Sequence, residues 1–547
     1  MSAIRRVTGR LAAVAMAIAA LAAMPAAAGA ASHVAISGSG SSWSALAIDQ
    51  WQQDVRPSGI VVNYSPDGSA AGRADYMANQ DDFAASDPPF RNGSDQLANT
   101  GSEHPNQGYS YIPDTAGGTA FMYHLTVAGH LVTNLRLSGL TVAKIFTGQI
   151  TNWADPAVTH DYGAQLPTLP ITPVVRSDGS GATFFLTRWM AHEYPALWDG
   201  FCKRVHAGVQ LPCGQSEFYP TNFGNAKAQN GSNNVATYIT SSYGNGAIGY
   251  DEYAYALNSH YPVVRLLNPA GYFVLPSASN VAVALTRAVI NSDASSTDFL
   301  QQNLDSVYTF TDPRSYPLSS YSYLIAPRTG STEPTNFSPA KGATLSTFVN
   351  FLLCAGQQQM APLGYSPLPL NLVKGGLLQV NRIPGHVATP NPVTLAGCNN
   401  PTFTNGQLTL LTTAQQPSPC DKLGEPLNCV LINGKASAPG AAAGKTAAPA
   451  AARPSLSAAA RPAAGALGAG LSGPAPASSA TSSPGAAAAA GAGPGPTAAI
   501  TGQVVNVAAS GANKVPLSIL TAAAIVAAIA VPPALGAWLR RRRRAQP

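Results

Sequence analysis

Three times before His192, the chain runs from a strand-like stretch through a turn of small and hydroxyl residues into a helical pattern. The turns are Gly38-Ser39-Gly40-Ser41-Ser42, Asp67-Gly68-Ser69-Ala70-Ala71-Gly72 and Asp178-Gly179-Ser180-Gly181-Ala182. Ala35-Ile36, Ile60-Val61-Val62 and Pro173-Val174-Val175 lead into them. Trp43, Leu46, Ala47, Gln50 and Trp51 mark a helical face after the first turn, and Ala70–Asn79 and Thr183–His192 follow the others. Phe83–Ser86 reads as a further strand. Alternation of this kind predicts an α/β architecture with mainly parallel strands.

The two ends are unlike this middle. Met1–Ala31 has Arg5, Arg6 and Arg10, then an apolar run from Leu11 to Ala23, then small residues with small-x-small spacing at Ala26–Ala28 or Ala28–Ala30. That is the pattern of a cleaved secretory signal. At the other end, Val515–Leu539 is 25 residues without a charge, followed by Arg540–Arg544. Its length suits a membrane span with a cytoplasmic basic tail at 540–547. Between the head and that span, residues 435–514 are almost all Ala, Gly, Pro, Ser and Thr, a composition expected to form a disordered stalk. The sequence therefore predicts a head held outside the cell on a single C-terminal anchor.

Charge argues the same way. Eight of the 31 basic residues are those terminal arginines, which leaves 23 basic against 25 acidic residues in the body. A balanced body lacks the sustained basic surface that nucleic acid requires. The six cysteines, Cys202, Cys213, Cys354, Cys398, Cys420 and Cys429, all lie between signal and anchor, as disulfides of an exported protein would. Six allow 15 connectivities. Proximity suggests Cys202–Cys213 and Cys420–Cys429, leaving Cys354–Cys398. No C-x-x-C occurs, so no metal centre is expected.

Each of the three turns puts free backbone N–H groups and a positive dipole end at a helix start, which suits an oxygen anion. Arg176, just before the third turn, adds one guanidinium. In order along the chain, Ser37–Trp43, Tyr64–Gly72, Asp82–Asp87, Ile145–Trp153 (IFTGQITNW), Val174–Gly181 and Gly246–Ala256 (GAIGYDEYAYA) resemble the segments of the PstS family, the periplasmic phosphate-binding proteins of ABC transporters. The resemblance covers roughly residues 36–370.

It implies a two-lobed, type II periplasmic-binding-protein-like fold with the ligand cleft between lobes. Lobe one would combine about 33–115 with 256–382, and lobe two would be 116–255, within a binding domain of 32–383. It further implies phosphate ligands at Ser42, Trp43 (through its N–H), Ser69, Asp87, Arg176, Ser180, Gly181 and Ala182, with Asp178 orienting Arg176. The permease subunits of a phosphate importer would be the partner, and no cofactor is needed. Ala182 departs from the pattern, which often has a hydroxyl residue there. One lost hydrogen bond to a charged ligand is worth about 1.5–3 kcal/mol unless Thr183 or water compensates. Residues 384–434, with three of the cysteines, lie outside the resemblance and read only as a disulfide-stapled extension.

Other readings have less to stand on. The nine histidines are scattered, and neither H-E-x-x-H nor G-x-S-x-G occurs. An extracellular phosphatase would need such a nucleophile or metal. A receptor for another oxyanion and a phosphate sensor use the same site, whereas a stalked adhesin leaves the Arg176–Asp178 pair without a purpose.

Overall fold

The computed structural model describes residues 33–330 and 336–438. The expected signal (1–31), the anchor (515–539), the basic tail (540–547) and nearly all of the stalk lie outside these residues. No helix among the described residues is long and apolar enough to cross a membrane.

The first lobe opens with β1 (Ile36–Gly40), α1 (Ala45–Val55), β2 (Val62–Ser65), α2 (Ser69–Met77) and β3 (Phe83–Ser86). The long β4 (Tyr109–Tyr123) leads into the second lobe, where β5 (Thr172–Arg176), α3 (Gly181–Glu193), β6 (Lys227–Gln229), α4 (Gly231–Thr240) and β7 (Ala247–Glu252) follow. The chain returns through α5 (Ala278–Leu285), β8 (Ser319–Pro327), α6 (Pro339–Leu353) and α7 (Leu370–Val380). One eight-stranded sheet joins them in the order β2-β1-β3-β8-β4-β7-β5-β6. Its flanks are parallel, as the alternation predicts. Its middle is antiparallel, because β8 pairs with both β3 and β4, and β4 pairs with β7. β4 and β8 thus form the hinge shared by the lobes. Every residue of β4 from Ser110 to Tyr123 is buried, as are all of β3 and β8. Sheets covered on both faces read as continuous apolar runs, and β3 does so.

Short strands follow the helix after β7. Arg265–Leu267 pairs with Arg136–Leu137 and with Phe273–Val274, and Val263 bridges Met122. These pairings tie residues 263–274 to elements that precede residue 256 in the chain.

All three disulfides suggested by proximity are present: Cys202–Cys213, Cys354–Cys398 and Cys420–Cys429. The extension after residue 383 is a strap over both lobes. Its first half is fixed to lobe one by Cys354–Cys398, by Asn400 Nδ2 donating to Leu353 O at 3.1 Å, and by Thr409–Thr413 packed on α5. Its second half is fixed to lobe two. Arg136 donates to the carbonyls of Cys420 (3.4 Å) and Glu425 (2.9 Å), and Arg265 pairs with Asp421 at 2.9 Å. The strap ends in a hairpin, Val430–Ile432 with Lys435–Ser437, turned by Asn433 and Gly434 at φ 50° and 76°. Residues 435–437, which the sequence assigns to the start of the stalk, form the second strand of this hairpin, and Asn-Gly favours such a tight turn.

Candidate functional site

Helices α1, α2, α3 and α4 all begin at one place. The first two belong to one lobe and the others to its partner lobe, so their turns meet in the cleft. Each turn sits at the C-terminal end of a parallel strand, where ligands of open α/β sheets bind. Gly40, which ends β1, has φ +130° and lies so close to Ala85 O that a Cβ would overlap it. A larger residue could not bring the Ser41-Ser42 turn alongside β3.

Asp87 follows directly on β3 and is 1% exposed. Its Oδ1 accepts from Ser41 Oγ at 2.7 Å and Ser322 Oγ at 2.6 Å, and its Oδ2 accepts from Ser69 Oγ at 3.2 Å. Burial raises its pKa above the usual carboxylate value, while the three hydroxyls and Arg176 pull it back.

Arg176 closes β5 and is also 1% exposed. Its Nε donates to Asp178 Oδ1 at 2.8 Å, and its Nη2 forms a short contact with Asp178 Oδ2. Nη1 reaches Ser232 Oγ at 3.2 Å and Asp251 Oδ2 at 3.4 Å, and Nη2 reaches Ser42 Oγ at 2.7 Å. Burial opposes the charge of Arg176, but Asp251 and Asp178 outweigh it and hold the guanidinium protonated. Burial pushes Asp251 up to about 6, with Arg176 pulling the other way. Asp178 Oδ1 also accepts the Gly231 N–H at 2.9 Å, which fixes the start of α4 against the arginine.

The remaining candidates lie in the same cluster. Ser42 Oγ and Ser232 Oγ are 2.8 Å apart across the cleft. Ser180 caps α3, accepting from Thr183 N at 3.4 Å, and Gly181 and Ala182 supply the first two helical N–H groups, which have no intrahelical acceptor. Trp43 is buried, and its N–H donates to Ser41 Oγ at 3.1 Å. The Thr183 hydroxyl, next to Ala182, is bonded to Tyr250 OH at 2.7 Å.

Four partners escaped the sequence reading: Ser41, Ser232, Asp251 and Ser322. Asn230-Gly231-Ser232 is a fourth small-residue turn before a helix, a signal that was there to be used. Asp251 stands inside GAIGYDEYAYA. Ser322 carries no local signal, since only long-range pairing of β8 brings it to Asp87.

One guanidinium here faces the carboxyls of Asp87, Asp178 and Asp251, so the cluster is not net positive. An anion would be held by directed hydroxyl and N–H donors and one oriented arginine. Next to Asp87, the cleft opens into a cavity of about 250 Å³, lined among others by Phe90, Arg91, Phe184, Arg188, Glu217 and Gln302.

Residues 25–355 match the family model described as the PBP superfamily domain. A Xylella fastidiosa protein named phosphate-binding protein PstS is 32% identical over 344 residues, 62% of this chain and 83% of its own. The Methanocaldococcus jannaschii protein of the same name is 26% identical over 360 residues, 64% of this chain and 87% of its own. A solved phosphate-binding protein from Stenotrophomonas maltophilia superposes with a TM-score of 0.44 at 16% identity, covering 66% of this chain and 99% of that one.

Proposed function

The chain belongs to the PBP superfamily, among the PstS phosphate-binding proteins, and on that premise we propose that it captures inorganic phosphate between its lobes outside the membrane and passes it to the permease subunits of an ABC importer. The observation that carries this reading is the buried pairing of one acceptor with many donors. Asp87 and Arg176 sit where four helix starts converge, each nearly sealed from water.

Phosphate keeps a proton near neutral pH and can donate it to the Asp87 carboxylate. Sulphate has none to donate, so it would set its own charge against that of the buried Asp87 carboxylate. Arg176, fixed by Asp178, offers its planar fork to the oxygens. Ser42, Ser69 and Ser180 contribute hydroxyls, and Trp43, Gly181 and Ala182 backbone N–H groups. Ser42 and Arg176 would exchange their mutual bonds for bonds to the anion, and the Trp43 N–H would leave Ser41. Each exchange replaces a bond to a neutral hydroxyl by a stronger one to a charged acceptor. No bond is made or broken in the ligand, and no cofactor takes part. Residues 1–31 and 515–539 support export and anchoring of this head.

Isothermal titration of the purified full-length protein with phosphate, sulphate and arsenate, repeated on Asp87→Asn, tests the reading. The expected result is phosphate binding with sulphate excluded, and a lower phosphate-to-sulphate affinity ratio in the variant. A wild-type protein that binds sulphate as well as phosphate refutes it.

A further inference from the structure

Among the polar contacts that join the lobes, which include Arg188–Asp305 at 3.1 Å, two sets are extensive. One is the cluster already described, whose members would face the anion. The other is a seam at the cleft mouth, between residues 91–103 of the first lobe and 206–217 of the second. Asp95, 3% exposed, accepts from Ser216 Oγ at 2.8 Å and from Glu217 N at 3.2 Å. Gln96 and Gln210 exchange two bonds, with Gln210 N donating to Gln96 Oε1 at 2.6 Å and Gln96 Nε2 donating to Gln210 O at 3.2 Å. Asn99 meets His206 at 3.3 Å. Cys202–Cys213 closes the second-lobe loop that supplies this side of the seam.

Glu217 is at its centre. Its Oε1 accepts from Arg73 Nη2 at 2.6 Å and makes a short contact with Arg91 Nη1. Its side chain is 4% exposed and that of Arg73 is 0% exposed. Arg73 is itself pinned within the first lobe, to Glu103 at 2.8 and 3.1 Å and to Ser86 Oγ at 2.9 Å. Ser86 immediately precedes Asp87. Without Glu217, two guanidinium groups of the first lobe share the single carboxylate of Glu103. The second lobe completes the charge balance only when the cleft is shut.

We propose that Glu217 is a positioning residue for ligand retention: an ionic clasp that holds the lobes together and sets how long phosphate stays, without touching it. This rests on the phosphate reading above. The seam forms only when the lobes meet, so it acts after encounter and governs release more than capture.

Glu217→Gln is a clean perturbation. Oε1 remains as an acceptor, and Oε2, the atom replaced by an amide nitrogen, has no hydrogen-bond partner among the described residues. The variant removes charge and leaves the packing in place. Phosphate titration and stopped-flow release on the full-length protein should show Kd raised at least tenfold, with the change in koff and kon within about twofold of wild type. Asp95→Asn keeps every arginine contact and weakens the same seam, so it should move koff in the same direction; it serves if Glu217→Gln does not fold. Kd and koff within twofold of wild type in the folded variants overturn the clasp. If the wild type does not bind phosphate, the proposed function fails, and small-angle scattering then decides the clasp alone: a larger radius of gyration in Glu217→Gln supports it, and an equal one overturns it.

Discussion

Replacing Gly181 with alanine separates closure from folding. Gly181 begins α3 in the second lobe, and a Cβ built there would lie under 3.0 Å from Oδ2, Cβ and Cγ of Asp87 in the first lobe. Three atoms overlap, and Asp87 cannot swing aside without giving up Ser41, Ser69 and Ser322. The easy relief is for the lobes to part. Overpacking of this kind costs about 1–3 kcal/mol, which would fall on the closed, ligand-holding arrangement and raise the phosphate Kd roughly 5- to 150-fold. The separate lobes should not suffer, since alanine is a better helix former than glycine by up to about 1 kcal/mol. The two observables therefore move in opposite senses. Titration calorimetry should show weaker phosphate binding, and thermal unfolding without phosphate should show an unchanged or higher midpoint. A Kd within twofold of wild type, or a midpoint falling in step with affinity, refutes the reasoning.

Two further outcomes follow from the electrostatics. Arg176→Ala should abolish measurable phosphate binding and leave Asp178 and Asp251 as buried carboxylates without a counter-ion. Asp251 already has a pKa near 6, and losing Arg176 raises it further. The ionised form therefore becomes the costly one, and the stability loss read from thermal midpoints should be larger at pH 8 than at pH 5; equal losses at both would show Asp251 not to be the group involved. For the wild type, Asp87 is raised by burial, so lowering the pH protonates it, removes the like-charge repulsion and turns it into a donor. Sulphate affinity should accordingly rise as pH falls, measured by titration at fixed salt, and a sulphate affinity flat with pH would separate Asp87 from selectivity.

The parts of the site that could be read from sequence are those built within a few residues of one another. Arg176 and Asp178 are two apart, and β3 runs into Asp87 over a short apolar stretch, so the family resemblance could assign them from local segments. Assigning serines was harder. Ser41 and Ser42 are adjacent and chemically identical in sequence, yet one serves Asp87 in its own lobe and the other reaches Arg176 and Ser232 across the cleft. That division depends on which way the chain turns out of β1. Ser322 depends on a β8 pairing whose register shifts between Tyr321 and Tyr323, and no local pattern encodes it. The antiparallel middle of the sheet was hidden for the same reason. The strap was invisible in its role, because Arg136 and Arg265 meet it through carbonyls and one aspartate more than 150 residues away.

The strap also defines a load path. Tension entering the chain at Ala438 passes along the terminal hairpin to the short ring closed by Cys420–Cys429, then through Asp421 and two backbone carbonyls to Arg265 and Arg136. That route runs into the second lobe through residues other than Asp87, Arg176 and Glu217. A pull on the C-terminal side would therefore be borne by covalent sulphur and two arginines, and the grip on the anion would be insulated from it.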